Sequence, residues 1–155
     1  SAWRMEEQSP ILQMIYDSGA EAEEGTAEIS MLSESDVPAM LALTALVYPE
    51  YFRLRTAELG NYLGIYRNGM LAAMAGERMY LTGYREISAV CTHPNFLGRG
   101  YAGMLVNRVV NGILSRNEIP FLHVSSNNER AKSLYERLGF TTRCSLPLWS
   151  VQHQS

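Results

Sequence analysis

Residues 87–106 read "ISAVCTHPNFLGRGYAGMLV", and Gly98 and Gly100 stand where a strand pattern gives way to a helix pattern. Tyr101, Leu105, Val109 and Ile113, joined by Val106 and Val110, recur at helical spacing as far as about Arg116. Glycine inside a helix costs roughly 1 kcal/mol against alanine, so a pair at the helix mouth needs a backbone reason. One reason is a tight turn. Another is that glycine-rich backbone opening a helix turns several N–H groups outward at the positive end of the helix dipole. That makes a pocket for a phosphate or pyrophosphate, with no Cβ in its way. A Walker loop is ruled out because no Gly-Lys-Ser/Thr follows, and a dinucleotide fingerprint because its third glycine and acidic partner are missing.

Working outward, "YREISAVCTH" reads as the strand before this turn, and "IPFLHVS" (119–125) as the strand after the helix. "NNERAKSLYERLG" (127–139) follows as a second helix, with an Asn cap at its start and Gly139 at its end. Asn128 and Tyr135 lie seven residues apart, two helical turns, and so share a face. "NYLGIY" and "MLAAMAGERMYL" flank Asn68-Gly69, a hairpin signal. "VPAMLALTALVY" reads as a helix capped by Ser35 or Asp36 and stopped before Pro49; "PEYFRLRTAELG" reads as a short helix ending at Gly60. Short strands are expected at residues 2–6, 11–16 and 28–32, with an acidic solvated loop at 17–26, and "FTTRC" and "PLWSV" close the chain as two strands. The order is β–α–α–β–β–β–α–β–α–β–β, a mixed α/β layer architecture with neither repeat nor linker.

At 155 residues, 46% hydrophobic and 19% charged, the chain has enough material for one domain with a real core. A net charge of −3 speaks against a nucleic-acid binder, and no apolar run is long enough for a membrane span. Cys91 and Cys144 are too few for a disulfide framework and lack metal-ligand spacing, which points to reduced thiols in a cytoplasmic protein. The three histidines are scattered, so no metal site is expected.

"ISAVCTHPNFLGRGYAGMLV" followed by "PFLHVSSNNERAKSLYERLGF" resembles the acetyl-CoA-binding core of the GNAT superfamily of N-acetyltransferases. With "GERMYLTGYREISAVCTHP" and "PFLHV" the chain is most similar to the FR47-like branch. The resemblance implies a central, mostly antiparallel sheet flanked by helices and splayed between the fourth and fifth core strands. It implies an acetyltransferase core over 28–150, with 1–27 an N-terminal extension or the remnant of a longer chain. The implied reaction is direct transfer of acetyl from acetyl-CoA, without a metal, to a primary amine of a small molecule or peptide, by a monomer or homodimer. A non-catalytic acyl-CoA-binding module and an enzyme for longer acyl groups are the alternatives.

Residue by residue, the family's phosphate-binding signature falls on Leu97, Gly98, Arg99, Gly100, Tyr101 and Ala102. Leu97 departs from the Gln or Arg of the family, which removes a polar side chain and leaves a backbone N–H. The splayed strand implies that the backbone of Val90 and Thr92 pairs with the pantetheine arm, and that the Val90 N–H serves the oxyanion. Asn128 matches the asparagine that touches the cofactor, and Tyr135 the tyrosine that protonates the departing thiolate. Glu86, 14 residues ahead of Gly100, is the candidate general base. It would need a raised pKa and would share a face with Ser88, Val90 and Thr92. Against this stands an edge-exposed, solvated glutamate paired with Arg85 or Arg78. His123 is a second candidate base, and His93 reads as a capping residue. Tyr51, Phe52, Arg53 and Arg55 are the candidate acceptor wall, with aromatic surface and a carboxylate clamp.

Overall fold

The computed structural model describes residues 3–18, 25–49 and 51–153. Most of the acidic loop expected at 17–26 therefore lies outside the described residues. Seven strands form one sheet: β1 (Trp3–Tyr16), β2 (Ser30–Met31), β3 (Tyr62–Arg67), β4 (Met70–Leu81), β5 (Tyr84–Thr92), β6 (Ile119–Ser125) and β7 (Phe140–His153). Their spatial order is β2-β3-β4-β5-β6-β1-β7. Every pairing is antiparallel except that of β5 with β6. Three α-helices pack on this sheet: α1 (Val37–Val47), α2 (Tyr101–Ser115) and α3 (Glu129–Arg137). A 3-10 helix at Leu54–Leu59 takes the place of the short helix expected there.

Local chemistry accounts for the boundaries. Asn68 (φ 52°) and Gly69 (φ 75°) both take the left-handed conformation that a two-residue hairpin turn demands. Asn128 caps α3 by accepting the Ala131 N–H at 3.1 Å. On α2, Leu105, Val106, Val109, Val110 and Ile113 are all buried, each contributing about 1.5–3 kcal/mol over exposure. They share a core with α3 and with Ile65, Ala73, Ala75 and Ile87 of the sheet. The opposite face carries α1 and the 3-10 helix, packed on Leu71, Met74 and Cys91. No helix among the described residues is long and apolar enough to cross a membrane.

Two corrections concern the ends of the chain. The two strands expected near the N-terminus are one 14-residue strand, and the two expected at the C-terminus are likewise one. Pro10 and Pro147 fall where the β1–β7 register shifts, so neither removes a ladder hydrogen bond that the sheet requires. The first strand does not lie at an edge: it sits between β6 and β7 and pairs with both.

Candidate active site

The site begins where two strands part. β5 and β6 are in register from Tyr84↔Ile119 to Ile87↔Leu122 and no further, while β5 continues along β4 to Thr92. At the point of separation Ala89 takes φ 53°, an uncommon conformation for a residue with a Cβ. It forms a bulge opposite β4, where Ser88 pairs with Gly76 and Cys91 with Met74. The bulge breaks the alternation expected from Glu86 through Thr92. Ile87 and Val90, three residues apart, both pack toward α2, so Val90 lies on the opposite face from Glu86. The His93 N–H donates to Ala72 O on β4 at 2.8 Å. Antiparallel alternation therefore turns the Thr92 N–H and C=O away from β4, into the gap.

A cavity of about 450 Å³ occupies the splay. Ser88, Ala89 and Val90 line it from β5, Val124 and Ser125 from β6, and Asn128, Ala131 and Tyr135 from the start of the next helix and its buried face. Tyr48, at the end of α1, reaches in and donates its hydroxyl to Val90 O at 3.2 Å. Tyr135 is buried, and burial is the main reason its phenol is pushed far above its ordinary range, with Tyr48 and Cys91 adding to the effect. Cys91 is likewise a protected thiol, raised by burial to about 12, which makes it a poor nucleophile.

Gly98 and Gly100 adopt φ 75° and 74°, so a left-handed backbone is the immediate reason for both glycines. A Cβ built on Gly98 would meet nothing within 4 Å. Gly100 is the N-cap of α2 and no side chain caps that end, which leaves first-turn N–H groups without a capping partner. Two arginines stand beside it. Arg99 lies over the Phe96 ring at 5.3 Å. Arg67, which the sequence did not single out, donates from Nε to the Tyr101 hydroxyl at 3.1 Å. That hydrogen bond is the main cause holding the Tyr101 phenol below its ordinary range. Leu97 is exposed, and His93 caps its turn by accepting the Asn95 N–H on Nδ1 at 3.1 Å.

Glu86, which also lines the cavity, is only 1% exposed. Arg78 donates to it twice, Nη2 to Oε1 at 2.7 Å and Nε to Oε2 at 2.9 Å. His123 Nδ1 stands 2.9 Å from Oε1. Burial by itself would raise this carboxyl, but the Arg78 fork and the histidine outweigh it and hold the group below the usual carboxylate range. The raised pKa expected of a Glu86 base is therefore the opposite of what its surroundings produce. Tyr51, Phe52 and Thr56 line the cavity from the expected acceptor segment. Arg53 and Arg55 do not line it. Arg55 instead forms a surface pair with Glu58 at 3.0 Å, and Arg78 is the arginine that reaches the cavity.

The FR47-like protein family model matches residues 62–149. A GNAT-family protein of Novosphingobium aromaticivorans is 37% identical, the match covering 99% of this chain and 68% of that one, with a TM-score of 0.89. A GNAT-family acetyltransferase of Colwellia psychrerythraea shares the fold at 15% identity, 96% and 57% coverage and a TM-score of 0.76. The ribosomal-protein-S18-alanine N-acetyltransferase of Escherichia coli does so at 20% identity, 84% and 95% coverage and a TM-score of 0.68. The chain thus spans about two thirds of the length of the first of these proteins and just over half of the second. No curated protein sequence matches it.

Proposed function

The chain belongs to the GNAT acetyltransferase superfamily, in its FR47-like branch, and on that premise we propose that it transfers the acetyl group of acetyl-CoA directly to a primary amine. The observation that carries this reading is the parting of β5 from β6 after Ile87, with the uncapped α2 N-terminus on one side and buried Tyr135 on the other.

Acetyl-CoA would supply the activated acyl group as a thioester. For its diphosphate the chain offers the N–H groups following Gly98 and Gly100, with Arg99 and Arg67 close by. For an extended amide-bearing arm it offers the splayed backbone of Val90 and Thr92, and Asn128 at the mouth of α3. The bulge at Ala89 brings the Val90 backbone to the cavity wall, where its N–H is the candidate oxyanion donor.

The amine nitrogen forms the new C–N bond, the C–S bond breaks, and one proton moves in net from nitrogen to sulfur. Tyr135 is assigned to the sulfur end. A phenol raised by burial stays protonated across the working range and donates a hydrogen bond to a developing thiolate. The amine end is assigned to Glu86 and His123 as a unit. Glu86, held ionised by Arg78, fixes the imidazole, and the imidazole accepts the amine proton at Nε2 once the Gln13 amide, 3.1 Å away, gives up that lone pair. Isothermal titration with acetyl-CoA, followed by a thiol-release assay over amines and peptide N-termini, tests the reading. Micromolar binding and amine-dependent thiol release are expected. Absence of binding overturns the whole reading, and binding without turnover on any amine leaves only a binding module.

A further inference from the structure

A row of polar side chains crosses one face of the sheet from the cavity wall outward, one from each of five neighbouring strands. It runs from Arg78 on β4 through Glu86 on β5, His123 on β6 and Gln13 on β1 to Arg143 on β7. Its contacts are the Arg78 fork on Glu86, His123 Nδ1 to Glu86 Oε1 at 2.9 Å, Gln13 Nε2 to His123 Nε2 at 3.1 Å, and Arg143 Nη1 to Gln13 Oε1 at 2.7 Å. Strand register builds it, since Gln13 lies opposite both His123 and Cys144.

The row has a fixed direction. Arginine can only donate, so the Gln13 atom that Arg143 touches is the carbonyl oxygen, and the amide NH2 faces His123. An NH2 group can only donate, so His123 Nε2 must accept and carries no proton. The single ring proton sits on Nδ1, where ionised Glu86, which can only accept, receives it. Cys144 reinforces the direction, its thiol lying 3.8 Å from the same Gln13 oxygen. Among the described residues, Glu86, Arg78, Arg143 and Cys144 are titratable groups that meet the imidazole or its hydrogen-bond partners, and the Tyr62 phenol lies within electrostatic reach of Arg78 and Glu86.

We propose that Gln13 and Arg143, from the two strands at the ends of the chain, are positioning residues that lock His123 in its Nδ1–H form and oppose its protonation at Nε2. This rests on the assignment of His123 to the amine proton. To take a proton at Nε2, the imidazole must turn the Gln13 amide so that its oxygen faces the ring. That turn breaks the Arg143 hydrogen bond and presents an NH2 group to a cation. The lock therefore opposes a proton at Nε2, and gives way at the cost of one charge-assisted hydrogen bond when the amine gives up its proton.

The test is ¹⁵N–¹H NMR of the imidazoles, with the His123 signals assigned by their loss in H123Q. In the unmodified protein the Nδ1–H pattern is expected. In Q13E a carboxylate faces Nε2, and in R143M the amide is free to turn. Both variants should raise the His123 titration midpoint by at least half a unit, about a threefold change in proton affinity, with Q13E shifting more. An Nε2–H pattern in the unmodified protein, or a smaller shift in either variant while the NMR dispersion stays native, overturns the proposal. The acidic limb of kcat/KM is read in parallel. If the NMR midpoints move and the limb does not, His123 loses its role at the amine while the lock stands.

Discussion

Arg78 grips Glu86 with two parallel hydrogen bonds, at 2.7 and 2.9 Å, from the strand beside it in the sheet. The glutamate is buried, while 38% of the arginine side chain is exposed. An arginine fork of this kind favours the carboxylate over the carboxylic acid, and the sign of its pH dependence follows. A depressed folded-state pKa contributes stability that is complete above the ordinary carboxyl value and is lost as pH falls through the lower folded value.

Glu86→Gln should therefore cost stability at neutral pH and progressively less below pH 4.5, the ordinary value for this group. Removing one partner of a buried pair costs about 3–5 kcal/mol. Because Arg78 keeps access to water, about 2 kcal/mol is expected at pH 7. Urea unfolding at pH 7 and pH 3.5 measures both. An equal loss at the two pH values would show that the carboxylate charge is not what Arg78 stabilises.

Tyr135→Phe separates chemistry from binding. The phenol is buried and strongly raised, so it stays protonated through alkaline pH and contributes no alkaline limb to the rate profile. With the hydroxyl gone, kcat should fall by about 100- to 10,000-fold, the usual contribution of a positioned acid. The acetyl-CoA Kd should stay within about twofold, because the ring still fills its place in the core. An unchanged kcat removes Tyr135 from the sulfur end.

Gly98→Ala tests the phosphate cradle. At φ 75° an alanine costs about 1–2 kcal/mol of backbone strain, while its methyl meets no atom within 4 Å. Thermal unfolding should report that modest loss. If the diphosphate sits against this backbone, the same methyl occupies its space, and the acetyl-CoA Kd should rise by at least about tenfold. A Kd that does not move would relegate Gly98 to the tight-turn reading.

The local part of this architecture could be read from residues. Strand β6 has the span expected of it, because Ile119–Ser125 is bounded by turn and cap signals on both sides. The Asn68-Gly69 hairpin and the Asn128 cap were legible for the same reason, since their chemistry lies within four residues. What could not be read depends on partners distant in the chain. Gln13 is an unremarkable strand residue until register sets it 110 positions away, against His123. Arg78 was one of the two arginines that the sequence offered to Glu86, and what decides between them is the shift of the β4–β5 register between Glu77 and Tyr80, while Ala89 gave no sign of a bulge. The glycine pair was recognisable as a site, and Glu86 as a special residue. Its pKa direction was not, because that depends on which arginine arrives.

The acceptor itself can be approached through charge. Arg78 and Glu86 are the charged residues lining the cavity among those described, and they neutralise each other. The remaining wall is aliphatic, aromatic, hydroxyl and amide, with the His123 imidazole, and has Tyr51 exposed at 77% and Phe52 buried against Tyr62 at 5.8 Å between ring centroids. A polyamine would bring several ammonium groups into a site with no unpaired carboxylate, and each would lose hydration without compensation. A single amine on an apolar or aromatic body loses little and gains ring contact. Phenylethylamine should therefore exceed spermidine in kcat/KM by at least about tenfold. Tyr51→Ala should lower the phenylethylamine value by about three- to tenfold and leave spermidine nearly unchanged. Equal use of the two amines would mean that acceptor charge is read by groups outside this cavity.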